Sequence, residues 1–176
     1  MNEPVDVVVM AAGKGTRMKS TLPKVLHRLG GRALSAHVLD TAAQVRARRV
    51  VVITGHGAPE VEAALSTWSS GGGACGFQTQ AGQQAAGAAP VAAPVVQFVR
   101  QSPQLGTGHA VQQAVPVLAD DGITLVLSGD VPLTQADTLL ALLALCAGDS
   151  LALLTLDMAN PTGYGRIVRQ EIGRAS

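Results

Sequence analysis

A chain of 176 residues is the size of one domain, long enough to take roughly 70% of its unfolded surface out of water and so to form a real core. Thirteen Lys and Arg against twelve Asp and Glu leave a formal charge of +1, which excludes the polybasic field that nucleic acid or an anionic lipid surface requires. Two cysteines, Cys75 and Cys146, are too few for a metal cluster or a disulfide framework and are expected as reduced thiols of a cytoplasmic protein.

Residues 1–6 place no basic stretch ahead of an apolar one, so no export signal is expected. Residues 5–11 are nearly continuous in branched side chains, the pattern of a strand buried on both faces of a parallel sheet. A glycine-rich loop follows, and then Leu34, Val38, Leu39, Ala42 and Val45 recur at helical spacing over 34–45. Arg46, Arg48 and Arg49 mark that helix's end, where cations meet the negative pole of its dipole. Residues 49–54 read as a second strand, 55–59 as a turn and 60–68 as a second helix. Residues 69–94 are Gly, Ala, Gln, Ser and Pro with almost no charge, the composition of a flexible insertion.

The alternation resumes with a strand over 95–100, a helix from Gly106 or Thr107 to about Leu118, and a strand over 122–128. A helix over 134–146 follows, with Thr134 placed to cap it and Asp137 three residues on, as in a capping box. Its run 139–147 is the most apolar of the chain. Nine residues are too few for a bilayer that needs about 20, so Leu139, Leu140, Leu142, Leu143 and Leu145 are expected as core. A fifth strand is expected over 151–156.

Strands alternating with helices argue for an α/β fold: a Rossmann-like, doubly wound, mostly parallel sheet with helices on both faces. Ligands of such sheets lie beyond the carboxyl ends of the strands. The loops at 11–23, 101–108 and 129–133 are therefore expected to share one crevice.

The first of these loops, Ala11-Ala-Gly-Lys-Gly-Thr-Arg17, follows a buried strand, and its small residues let backbone N–H groups approach phosphates or a base. It matches neither a Walker A loop nor the dinucleotide fingerprint, which needs a third Gly where Met18 stands. A tight turn between strand and helix would have the same composition. Pro23 sets the backbone before Lys24, so that Arg17 with its planar fork and Lys24 with its point charge are both candidates for phosphate oxygens. At about 4 Å and an effective dielectric near 20, each is worth on the order of 4 kcal/mol against a full charge. His109, in the first turn of its helix, is expected to pack or hydrogen-bond; His56, between two glycines, is expected in a turn.

The stretch 10–24, with Pro23-Lys-Val-Leu-His27, resembles the opening signature of the bifunctional N-acetylglucosamine-1-phosphate uridylyltransferase/glucosamine-1-phosphate acetyltransferase family. Gln104-Leu-Gly-Thr-Gly-His-Ala110 resembles that family's uracil-binding loop, Gly129-Asp-Val-Pro-Leu133 its metal-binding turn, and Asn160-Pro-Thr-Gly-Tyr-Gly-Arg-Ile167 its sugar-side segment. The resemblance spans almost the whole chain.

It implies the nucleotide-diphospho-sugar transferase type of fold and the transfer of a uridylyl group from UTP to N-acetylglucosamine 1-phosphate. The product, UDP-N-acetylglucosamine, serves peptidoglycan and lipopolysaccharide synthesis. Met10, Ala11, Ala12 and Gly13 would contact the nucleoside; Gln101, Gly106 and Thr107 would read the uracil edge; Ser128, Gly129 and Asp130 would complete the site. Asp130 would be a magnesium ligand, Gly165 would lie against the sugar, and Arg17 and Lys24 would carry the catalytic charge. A glutamine amide can flip, so backbone groups at Ala12 and Gly106 are expected to supply the discrimination against cytosine.

Two features depart from that family: the length of 69–94, and Ser128 where an aromatic residue is common. The family's further Glu and Asn ligands, its β-helical acetyltransferase domain and the trimer formed through it have no counterpart in residues 1–176, so the uridylyltransferase domain is expected to be partial. A nucleotidyltransferase for another sugar phosphate or for a cofactor such as molybdopterin, and a non-catalytic sugar-nucleotide-binding module, are the alternative readings.

Overall fold

The computed structural model describes residues 3–15, 18–68, 94–146, 148, 150–165 and 167–168. Its frame is a four-stranded sheet in the order β5-β4-β1-β6, made of β1 (Val5–Met10), β4 (Arg49–Thr54), β5 (Val95–Arg100) and β6 (Ile123–Ser128), with every pairing parallel. Val7 to Val9 and Val50 to Ile53 have no exposed surface, as their unbroken apolar runs require of strands covered on both faces. The outer strands β5 and β6 are only partly covered.

Each parallel step needs a helical crossover. Helices α1 (Leu34–Gln44) and α2 (Ala58–Thr67) join β1 to β4 and lead on from β4, while α3 (Thr107–Ala114) joins β5 to β6 and α4 (Ala136–Leu145) follows β6. Val38, Leu39 and Ala42 of α1, Val61 and Leu65 of α2 and Leu139 of α4 pack on one face against Val7, Val9, Val50 and Val52. The other face carries α3, whose Ala110 and Ala114, one turn apart, meet Val8, Val51 and Ile53. The order reverses beside β1: β4 and β5 lie on one side of it, β6 on the other.

Several expected boundaries move for local reasons. Helix α2 begins at Ala58 rather than residue 60, because Gly57 takes a left-handed conformation as its cap and Pro59 suits a first turn that needs no N–H donor. Helix α3 stops at Ala114 and tightens into a 3-10 turn over Val115–Val117, where Pro116 supplies no donor. Thr134 does not cap α4. Gln135 is the extended cap residue, its side chain donates to the Leu133 carbonyl at 3.1 Å, and the Thr134 carbonyl accepts from Thr41 Oγ1 at 3.4 Å.

The leucine run of α4 is a correction of a different kind. Leu139 alone of the helix is fully buried and Leu142 and Leu143 pack partly, but Leu140 and Leu145 face outward, 47% and 75% exposed. A helix covered on one side only, where it meets the sheet and α1, has only one covered stripe. The expected fifth strand over 151–156 does not form: the segment has no ladder hydrogen bonds among the described residues. Residues 151–154 instead line one side of an apolar cavity of about 430 Å³ beside β6. The expected insertion at 69–94 lies outside the described residues except for Pro94, which is buried.

A two-stranded hairpin that no sequence pattern announced, β2 (Arg28–Leu29) with β3 (Arg32–Ala33), turns at Gly30-Gly31. Arg32 pairs with Asp40 of α1 at 2.6 Å. Asp40 also accepts from Nε1 of Trp68, at the end of α2, at 2.8 Å. Where β1 begins, the buried Asp6 carboxylate accepts from Arg48 Nε and Nη2 at 2.9 and 3.0 Å, and Arg48 Nη1 reaches Asp121 at 3.0 Å. Those hydrogen bonds hold the Asp6 carboxyl below the usual carboxylate range, against the opposing effect of burial. Among the described residues no helix is long and apolar enough to cross a membrane.

Candidate active site

The crevice predicted from the loops exists. A cavity of about 370 Å³ beyond the carboxyl ends of β1, β5 and β6 is lined by Met10, Ala12, Gly13, Lys24, Val25, Gln101, Gln104, Gly106, Thr107, Ala110, Ser128 and Asp130. It sits at the reversal of strand order, where doubly wound sheets bind ligands. Sheet register builds it: Met10 stands opposite Ser128 on β6 and Ile53 on β4.

Beyond Met10 the chain stays tied to its neighbours. The Ala11 N–H donates to the Ile53 carbonyl at 2.9 Å and the Ala12 carbonyl accepts from the His56 N–H at 3.4 Å, with His56 in a turn as expected. Ala11 thereby enters the core and does not line the cavity. Ala12 and Gly13 do line it. At Gly15, a Cβ would stand 2.9 Å from the Cβ of Lys24, closer than real side chains approach, so the loop lies directly against the lysine. Arg17 lies outside the described residues.

Lys24 opens a short 3-10 turn, Lys24–Leu26, after Pro23 at φ −51° and ψ 136°. Val25 is buried in the core cluster and its carbonyl accepts from the buried Ser35 hydroxyl at 2.9 Å, which anchors the turn and leaves Lys24 at the cavity wall. There the Lys24 ammonium is ion-paired with the Asp130 carboxylate. Asp130 is placed by the turn after β6, where the Gly129 N–H donates to the Met10 carbonyl at 2.9 Å. Gly129 is thus a buried support of the wall and Ser128 and Asp130 are its surface.

On the opposite side Gln101 continues β5, its N–H donating to the Thr54 carbonyl at 2.8 Å. Its side chain is 6% exposed and donates from Nε2 to the Gly106 carbonyl at 2.9 Å. The same Nε2 is 3.1 Å from His109 Nδ1, so His109 hydrogen-bonds as its sequence position suggested. Gly106 has φ +102° and ψ 179°, a conformation essentially restricted to glycine. Beside it Glu62 accepts from Thr54 Oγ1 at 2.8 Å and pairs with Arg100 at 2.9 Å. The guanidinium of Arg100, aided by Thr54, holds the Glu62 carboxyl below its usual range.

Of the residues singled out from sequence, the structure brings Met10, Ala12, Gly13, Lys24, Gln101, Gly106, Thr107, Ser128 and Asp130 into this one cavity. Gly165 is exposed and does not line it; the segment carrying it has no strand or helix to hold it against the crevice. Gln104, Val25 and Ala110 line the cavity without having been singled out. Gln104 and Ala110 lay inside a quoted motif, and Val25 inside the sequence Pro23-Lys-Val-Leu-His27. Among the described residues no group of three or more His, Cys, Asp or Glu could hold a metal ion. A single carboxylate fits a hard cation only where phosphate oxygens and water complete the coordination.

The model of the MobA-like NTP transferase domain matches residues 7–176. The bifunctional protein GlmU of Polaromonas naphthalenivorans (strain CJ2) is 69% identical over 166 residues, which are 94% of this chain and 31% of that protein. The bifunctional protein GlmU of Cellvibrio japonicus (strain Ueda107) is 47% identical over 169 residues, 96% of this chain and 32% of that protein. The chain thus spans about a third of the length of the curated relatives it matches. Among solved structures, a nucleotidyl transferase from Methanothermobacter thermautotroptrophicus superposes with a TM-score of 0.57 at 23% identity, over 80% of this chain and 57% of that chain. The UDP-glucose pyrophosphorylase from Acinetobacter baumanii gives 0.52 at 23% identity, over 74% of this chain and 46% of that one. At such identities the likeness concerns the fold, a parallel sheet with helices of the nucleotidyltransferase type.

Proposed function

The chain belongs to the MobA-like NTP transferase domain family, and within that family we propose that its crevice binds UTP and N-acetylglucosamine 1-phosphate and joins them into UDP-N-acetylglucosamine and pyrophosphate. The observation that carries this reading is the convergence of three separate loops on one cavity at the sheet's switch point, with a cation on one wall and a buried amide on the other. Similarity to the bifunctional protein GlmU over nearly the whole of this chain supports the same choice.

In the reaction a phosphate oxygen of the sugar phosphate attacks the α-phosphorus of UTP in line. The α–β phosphoanhydride bond breaks and the electron pair leaves with pyrophosphate. Phosphoryl and nucleotidyl transfers of this kind ask the protein for positioning and charge stabilisation rather than covalent chemistry. Met10, Ala12 and Gly13 flank the nucleoside, with Ala11 behind them in the core. Lys24 and Arg17 offset the triphosphate charge and the charge that develops on pyrophosphate. Gln101, Gly106 and Thr107 face the base, while Ser128 and Asp130, backed by the buried Gly129, close the phosphate side; Gly165, exposed outside the cavity, would have to move toward it to meet the sugar. Asp130 is the residue to hold magnesium, which when bound would neutralise charge between the α-phosphate and the attacking group.

Pyrophosphate release measured with UTP, CTP and GTP against several sugar phosphates tests the proposal. UTP with N-acetylglucosamine 1-phosphate is expected to be the preferred pair. The match to a MobA-like model favours a second reading, nucleotidyl transfer to a cofactor; preference for GTP and inertness toward sugar phosphates would select it. Tight binding of a UDP-sugar without turnover in magnesium would mark a non-catalytic module. Arg17→Ala is expected to lower the rate about a hundredfold, on the order of 3 kcal/mol, and a fall below about threefold removes Arg17 from the catalytic set.

A further inference from the structure

The Gln101 side chain is held by more than its backbone. Its amide nitrogen lies 2.9 Å from the Gly106 carbonyl oxygen, an atom that can only accept. The opposite orientation of the amide would set two acceptors against each other at that distance, so Nε2 must face Gly106. His109 Nδ1, 3.1 Å from the same nitrogen, must then accept the second N–H. A neutral imidazole has one acceptor and one donor nitrogen, which puts the proton of His109 on Nε2. That nitrogen is 3.2 Å from Gln113 Nε2, which also donates to the His109 carbonyl at 3.3 Å. Because the Gln101–Gly106 contact is the shorter at 2.9 Å, it sets the tautomer, and the Gln113 amide turns over to accept from His109 Nε2, giving up the longer bond. Gly106 is itself fixed from behind, since its carbonyl also accepts from the Ala110 N–H at 3.1 Å.

Both N–H groups of Gln101 are therefore consumed inside the protein. Its Oε1 remains, with no donor reaching it among the described residues, on a side chain that lines the crevice. From this we infer that His109 is a specificity-positioning residue: by accepting the second amide N–H it makes Gln101 an acceptor-only reader of the base. The inference rests on the reading of the crevice as a uridine nucleotide site. A base edge carrying an N–H, as uracil does at N3, meets Oε1 productively; a base with a lone pair there, as cytosine has at N3, meets repulsion. Without His109 the amide keeps a single anchor at the Gly106 carbonyl, about which it can swing and bring its second N–H to the crevice, and the rejection of cytosine weakens. Specificity of this kind comes from a mispaired buried group more than from added attraction.

The experiment compares UTP and CTP, each by calorimetric binding and by kcat/KM with N-acetylglucosamine 1-phosphate, in the full chain and in His109→Leu, His109→Asn, Gln101→Ala and the double variant His109→Leu/Gln101→Ala. His109→Leu is expected to reduce the UTP-over-CTP preference about tenfold, through KM and binding rather than kcat. His109→Asn, whose amide oxygen can stand in for Nδ1, is expected to retain most of the preference. In the Gln101→Ala background His109→Leu is expected to change the preference no further, because the histidine acts through the glutamine. An unchanged preference in His109→Leu overturns the inference while leaving the uridine site standing. An equal loss in His109→Asn and His109→Leu also overturns it, since packing and not the acceptor would then matter. A parent chain that binds UTP and CTP alike overturns both the inference and the reading beneath it.

Discussion

Removing the carboxylate of Asp130 should have opposite consequences with and without magnesium. Across the crevice wall Asp130 is ion-paired with Lys24, their side chains 27% and 39% exposed. Groups that wet are screened, and the pair is worth at most about 1 kcal/mol. A metal-free triphosphate must draw Lys24 away from that partner and sit near a second negative charge. Asp130→Asn lifts both costs, so UTP titrated in the presence of a chelator should bind up to about fivefold more tightly to the variant than to the parent. With magnesium the order reverses: the variant loses the carboxylate that would hold the cation, and turnover should fall about a hundredfold or more. Isothermal titration in the two buffers, paired with a pyrophosphate-release assay, reads both arms. Weaker binding of metal-free UTP by Asp130→Asn would refute the argument, because it would mean that Lys24 needs Asp130 to be placed and is not in competition for it.

Gly106→Ala places a side chain at φ +102°, where open space does not remove the backbone strain. A cost of about 1–3 kcal/mol should appear as weaker UTP binding, with α3 still folded by circular dichroism. Arg48→Met leaves the buried Asp6 carboxylate with only the distant Ala119 N–H at 3.4 Å, and urea unfolding should show a loss of about 3 kcal/mol or more. Asp6→Asn leaves Arg48 partly exposed and still bonded to Asp121, so its loss should be roughly half as large. The folded carboxyl of Asp6 titrates below its ordinary value. Its contribution is therefore complete above about pH 4 and drains away as the pH falls through the lower folded value. A stability profile between pH 6 and pH 2 should be flatter at its acid end in Asp6→Asn than in the parent.

Strands β1 and β4 were legible because a parallel strand covered on both faces has no alternative to a dense branched run, while β5, only partly covered, was legible as a short apolar run between Pro94 and Arg100. The crevice was legible because Gln101 and Asp130 follow their strands directly or after one residue, and Lys24 closes the loop that leaves β1. What failed depended on partners. Residues 151–156 form a short apolar run, but a strand exists only if another strand accepts its ladder, and local pattern carries no record of that. The leucines of α4 look alike in sequence; only the position of α1 decides that Leu139 is covered and Leu145 is not. Asp6 and Arg48 are 42 residues apart, and nothing in either neighbourhood announces the other. The same holds for Gln101 and His109, whose eight-residue separation becomes a contact only once Gly106 turns the chain into α3.

Trp68 is the chain's one tryptophan. Helix α2 follows the end of β4 through the turn at residues 55–57, and the indole at its far end donates to Asp40 of α1. Its emission is consequently an intrinsic optical gauge of whether α1 and α2 still share a face, and neither Trp68 nor Asp40 lines the crevice. A substitution in the crevice that silences catalysis but leaves that emission at short wavelength has removed a ligand contact; one that shifts it to the red has unseated a helix, and a single spectrum tells the two apart.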